Sequence, residues 1–129
     1  RDSILADVVR QFALMARHAR DPRTGLLYHA WDAARAQPWA DPATGRSANF
    51  WARAVGWYVV GIVETLDWMP ADHPGRATLV AILRDALDAA ARVQDPVTGL
   101  WWNVLDQPGR AGNWLEGSAS AMLTYALAK

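Results

Sequence analysis

Apolar residues fall at three- and four-residue intervals over long stretches of the chain, the period of a helix with one face turned inward. Ile4, Leu5, Val8, Phe12, Met15 and Ala16 make a first stripe ending near Arg20, with Arg10, Arg17 and Arg20 on the other side. Asp2 or Ser3 suits its N-cap. A second helix is expected to open near Ser47 or Asn49, both good caps, and to end before Pro70. Between Phe50 and Val63 its only charged side chain is Arg53. A third runs from about Arg76 to Gln94, with Leu79, Ile82, Leu83, Leu87 and Ala90 on one face. Asn113 can cap a fourth, reaching Lys129 and apolar apart from Glu116 near its start.

The breaks are as regular as the helices. Asp-Pro-x-Thr-Gly stands at Asp21–Gly25, Asp41–Gly45 and Asp95–Gly99, where proline cannot continue a helix and glycine suits a positive φ. These segments lack the ligand spacing of a calcium loop and read as turns. Short extended arms follow at Leu26–Asp32 and Leu100–Leu105. Trp101 and Trp102 are neighbours on the second arm, so at most one points inward.

The order repeats. Asp21-Pro22-Arg23-Thr24-Gly25-Leu26 returns as Asp95-Pro96-Val97-Thr98-Gly99-Leu100, and Asn49-Phe50 returns as Asn113-Trp114. The first unit, about 1–70, is longer than the second, about 75–129, because it carries the extra Asp41–Gly45 turn. Each unit is an amphipathic helix, an arm and a nearly all-apolar helix. Such pairs stack to bury their apolar faces, which predicts an all-α fold of helical hairpins: an α/α solenoid or closed α/α toroid. Amphipathic helices would form an outer layer and apolar ones an inner layer. The arms gather where the inner helices begin, the natural mouth of a cleft. Two pairs make a single, partial domain, so either a longer chain or a second copy is expected to complete the ring.

Composition narrows the function. Thirteen basic and thirteen acidic residues cancel, so neither nucleic acid nor an anionic membrane surface is expected as a partner. The absence of cysteine excludes a thiol nucleophile or a thiolate metal site. With the N-terminus reading as helix rather than leader, a cytoplasmic location is expected. Eight tryptophans change the picture more, because an indole offers a flat face to the C–H side of a sugar ring. Trp68 is expected in the core, whereas Trp51, Trp57, Trp101, Trp102 and Trp114 lie at or near the arms and inner-helix starts.

Asn49, Arg53 and Trp57 would share one helical face. Arg53 either holds a planar carboxylate there, or pairs with an internal carboxylate or snorkels to the surface. His29 either hydrogen-bonds a ligand or simply bonds a backbone carbonyl in its loop. Asp32 is a general acid raised by nearby indoles, or a turn residue before Ala33. Glu116 could be the capping-box partner of Asn113. No metal-ligand spacing, nucleophile elbow or phosphate loop is present. The residues alone suggest an aromatic-lined cleft for an acidic sugar.

Tyr28-His29-Ala30-Trp31-Asp32, Asn49-Phe50-Trp51-Ala52-Arg53-Ala54-Val55-Gly56-Trp57, Leu66-Asp67-Trp68-Met69-Pro70, Gln94–Trp101 and Gly112–Ser120 together resemble the unsaturated rhamnogalacturonyl hydrolases of glycoside hydrolase family 105, relatives of the family 88 unsaturated glucuronyl hydrolases. The resemblance implies part of an (α/α)6 toroid. It also implies a hydrolase of the Δ4,5-unsaturated uronic acid that ends pectin-derived oligosaccharides, working by hydration of the double bond without a cofactor. By the match, Arg53 would hold the uronate carboxylate, Trp51 and Trp57 would wall the ring, and His29 would hydrogen-bond it. The family's general acid belongs to a segment upstream of His29 that has no counterpart here, so no catalytic residue is assigned and the chain is expected to be inactive alone. An unsaturated glucuronyl hydrolase acting on glycosaminoglycan fragments, and a non-catalytic helical sugar-binding or scaffold domain, are the alternatives. Half a toroid would expose the apolar flanks of its inner helices, so self-association is expected.

Overall fold

Four helices organise the computed structural model, which describes residues 2–129. They are α1 (Asp2–Ala19), α2 (Ala52–Trp68), α3 (Arg76–Ala91) and α4 (Gly117–Ala128). The expected cap of α1 falls at the edge of the description: Ser3 is already helical, and the Asp2 side chain lies outside the described residues. None of the described helices is long and apolar enough to cross a membrane.

The layering follows from which faces are apolar. Helix α2 packs chiefly on α4 and also on α3, while α1 packs on α3. Val55, Val59 and Val63 of α2 are buried with Ala86, Leu87, Ala89 and Ala90 of α3 and Leu123 and Ala126 of α4. The α2–α4 seam is close because Gly56 has no side chain: a Cβ there would stand 2.9 Å from Met122 Sδ and 3.0 Å from its Cβ. A second cluster, Ile62, Met69 and Leu79, gathers Leu5, Val9 and Phe12 of α1. Among the described side chains of α1 only that of its last residue, Ala19, is fully buried, as an outer helix should show. The fold is therefore all-α, and its helical hairpins are those of an α/α toroid segment.

Both inner helices begin later than their cap residues suggest. Ser47 and Asn49 do not cap α2, because residues 47–51 lie before the helix and pair with both arms. Ser47 N–H donates to the Ala30 carbonyl at 3.0 Å, Leu105 N–H to the Phe50 carbonyl at 3.0 Å, and Ala52 N–H to the Asn103 carbonyl at 2.9 Å. Asn49 thus lies off the helical face that carries Arg53 and Trp57. Asn113 does not cap α4 either. Its amide donates to the carbonyls of Val104 (3.0 Å) and Gln107 (2.6 Å), and its Oδ1 accepts from Val104 N–H (2.9 Å), closing the intervening loop. Glu116 is itself the N-cap, its carboxylate accepting from Ala119 N–H.

The three turns are one device. Asp21, Asp41 and Asp95 each accept from the N–H and the hydroxyl of the threonine three residues on, at 2.7–3.1 Å. The following glycines take φ of 77°, 75° and 71°. The carboxylates are spent within their own turns. Trp101 is fully buried, with Nε1 donating to the Ala90 carbonyl at 2.8 Å, while Trp102 is half-buried. Trp68 corrects the expectation of a core residue: it is 75 % exposed. It ends an exposed stripe of α2 with Arg53, Trp57 and Glu64, along the edge next to α4, where Tyr125 Oη–H donates to Glu64.

Candidate functional site

Arg53 sits in the first turn of α2, and its Nη2 donates to Glu116 Oε1 at 2.7 Å. Of the readings open for it, the structure shows the internal pair together with a partly exposed side chain. The internal carboxylate exists, yet the Arg53 side chain stays 55 % exposed while that of Glu116 is 7 % exposed. Glu116 is well provided: Ala119 N–H and Ser118 Oγ–H also donate to it. Burial pushes its carboxyl up, but the Ala119 N–H, the Arg53 guanidinium and the Ser118 hydroxyl outweigh that and hold it below the usual range. Glu116 is therefore ionised and fixed, and it anchors one nitrogen of a guanidinium whose remaining N–H groups face solvent.

Trp51 is the residue before α2, held extended by a bridge to Val104, and is 49 % exposed. Trp57 lies one turn beyond Arg53 and is 62 % exposed. The His29 ring stands 5.1 Å from that of Trp51, centroid to centroid. His29 Nδ1 is 3.0 Å from both the Asn49 carbonyl oxygen and Ser47 Oγ. A carbonyl only accepts, so Nδ1 carries a proton there, and Nε2 is left for another partner. His29 and Trp57 share a hollow of about 320 Å³ with Met15, Tyr28 and Tyr58. On its other side His29 borders, with Trp51, a groove of about 350 Å³ between the arms. A larger groove of about 540 Å³, between α1 and residues 70–75, is at the opposite end and takes in none of these side chains.

Asp32 is a turn residue. It accepts from the N–H groups of Ala34, Ala36 and Gln37 at 2.7–3.0 Å. The Gln37 N–H bond foremost, with those of Ala36 and Ala34, sets its carboxyl below the usual range, opposite to what a general acid needs.

Sequence reasoning missed the Arg53–Glu116 pair and the place of Arg110 in the arm groove. The first had a signal, since Glu116 is the one acid in an otherwise apolar stretch. The second had none, because Arg110 sits in a loop without periodicity.

Along residues 1–129 the chain matches the model of Glycosyl Hydrolase Family 88. It is 42% identical over 127 residues to Protein Atu3128 of Agrobacterium fabrum, covering 98% of this chain and 53% of that protein. It is 37% identical over 127 residues to the unsaturated rhamnogalacturonyl hydrolase YesR of Bacillus subtilis, covering 98% of this chain and 34% of that one. A family 105 glycoside hydrolase of C. acetobutylicum superposes with a TM-score of 0.95 at 40% identity, over 98% of this chain and 35% of its own. The chain thus spans from about a third to about half the length of these proteins.

Proposed function

The chain belongs to glycosyl hydrolase family 88, and from that membership we propose that it is the substrate-holding part of a hydrolase acting on Δ4,5-unsaturated uronic acid at the non-reducing end of rhamnogalacturonan oligosaccharides. The observation that carries the proposal is Arg53: a guanidinium anchored by a buried carboxylate, more than half exposed, and flanked along the chain by the exposed indoles of Trp51 and Trp57. A planar fork of donors suits a planar carboxylate, and a flat, partly unsaturated ring suits an indole face. His29 Nε2 hydrogen-bonds a sugar hydroxyl. The 37% identity to an unsaturated rhamnogalacturonyl hydrolase supports the choice of substrate.

The reaction is hydration. A proton goes to one carbon of the ring double bond and the hydroxyl of water to the other. The resulting hemiketal opens and releases the neighbouring sugar. Neither His29, Trp51, Arg53 nor Trp57 supplies that proton in this scheme. They bind and orient, and the donor comes from helices that complete the ring, in the same protein or in an associated copy.

A family 88 model favours a second reading, an unsaturated glucuronyl hydrolase acting on glycosaminoglycan fragments. Both are tested by following the absorbance of the unsaturated uronate in the full-length protein with each disaccharide. Faster loss with the rhamnogalacturonan disaccharide supports the first reading, and faster loss with the glycosaminoglycan one the second. No loss with either leaves a non-catalytic sugar-binding domain.

A further inference from the structure

We propose that the groove between the two arms is an outer subsite, which takes the sugars on the leaving-group side of the unsaturated uronate and reads an acidic group there with Arg110. The proposal rests on the function proposed above and adds to it a binding site beyond the uronate pocket. The groove, about 350 Å³, falls in the size range of small-ligand sites. It meets the hollow beside Trp57 at His29, which borders both. Its far wall carries Trp114, 55 % exposed although its backbone is fixed, the carbonyl accepting from Asn103 N–H at 2.8 Å. A large apolar ring held rigidly in water is costly surface unless a ligand covers it, and an indole is well shaped for a sugar ring.

The charge is equally specific. Arg110 Nη1 donates to Asn49 Oδ1 and Gln107 Oε1, each at 3.2 Å. Both are neutral amides, and among the described residues no carboxylate pairs with Arg110. None lines the groove, whose other polar side chains are His29, Asn49, Asn103 and Asn113. The guanidinium is thus oriented but not neutralised, the state in which it best receives an anion. The groove fits an oligosaccharide in which a sugar after the first carries a carboxylate.

The test compares three probes on the full-length protein: the methyl glycoside of the unsaturated uronate, an unsaturated oligosaccharide whose later sugars include a uronate, and its carboxyl-reduced form. Trp114→Ala is expected to raise KM about tenfold for both oligosaccharides, as loss of one stacked face implies, and to leave the methyl glycoside unchanged. Arg110→Ala is expected to act only on the oligosaccharide that keeps its later carboxylate. Both side chains are exposed, and an unchanged melting temperature verifies that the variants fold. Equal effects on all three probes, or none, overturn the proposal. If the wild-type protein consumes no probe, the functional reading fails separately. The groove is then read by tryptophan fluorescence with a saturated acidic oligosaccharide: binding lost in Trp114→Ala upholds it, and no binding by the wild type overturns it.

Discussion

How far Arg53 serves the fold can be measured by a double-mutant cycle of Arg53→Ala and Glu116→Ala. The two partners are placed unequally. Glu116 is buried and accepts from Ala119 N–H, Ser118 Oγ–H and Arg53, so truncating it removes the N-cap of α4 as well as the pair. The cap is worth about 1 kcal/mol, and the pair, with one partner more than half exposed, about 0.5–1 kcal/mol. Glu116→Ala should therefore cost about 2 kcal/mol. Arg53→Ala leaves the carboxylate with its cap bonds and should cost no more than about 1 kcal/mol, with a coupling energy of the same size. Urea denaturation of the four proteins measures this. Equal costs for the single variants, or a coupling near 3 kcal/mol or above, would mean a pair whose loss strands a buried charge. The guanidinium would then belong to the fold, and the reasoning that leaves it free for a ligand would be refuted.

Gly45→Ala should cost about 2–3 kcal/mol, since its φ is 75° and the new Cβ would lie 2.2 Å from the Asp32 carbonyl oxygen. Gly99→Ala, with φ 71° and nothing nearer than Gln94 Nε2 at 3.9 Å, should cost about 1 kcal/mol; thermal melting compares the two. Gly56→Ala should loosen the α2–α4 seam by about 1–3 kcal/mol, with partial recovery in Gly56→Ala/Met122→Ala. Asp21 is buried, which raises its carboxyl, but the Thr24 hydroxyl and N–H and the Arg23 charge bring it below the usual carboxylate range. A group depressed on folding stabilises above its unfolded value and loses that contribution as pH falls through its folded one. Melting temperature should therefore drop on acidification below about pH 4, and less steeply in Asp21→Asn. The exposed Trp57 and Trp68 on α2 lead us to propose that the 129-residue chain self-associates; a monomer in sedimentation at micromolar concentration would contradict it.

The helices were legible in the sequence because period 3.6 is written in Leu, Val and Ala, and the turns because Asp-Pro-x-Thr-Gly fixes its own geometry. The starts of α2 and α4 were not. Ser47, Asn49 and Asn113 are good caps by local preference, but pairing between the arms claimed their backbone and side chains first, and that pairing is long-range. The same limit explains Trp68. Its helix is apolar nearly all round, so periodicity could not tell the buried side from the exposed one. Arg53 stood out because it was the lone charge from Phe50 to Val63. Glu116 carried a signal as the lone acid of its stretch, but its pairing with Arg53 spans 63 positions and is not written in any local pattern.

The central claim, that Arg53 receives the uronate carboxylate, is tested most directly by fluorescence titration of the full-length protein with an unsaturated disaccharide and its carboxyl-reduced counterpart. Wild type is expected to bind the carboxylate form about tenfold or more tightly, the value of one charge-assisted hydrogen-bonded pair, and Arg53→Ala to bind both forms alike. Equal binding of the two forms by wild type, or a preference that survives in Arg53→Ala, would contradict it.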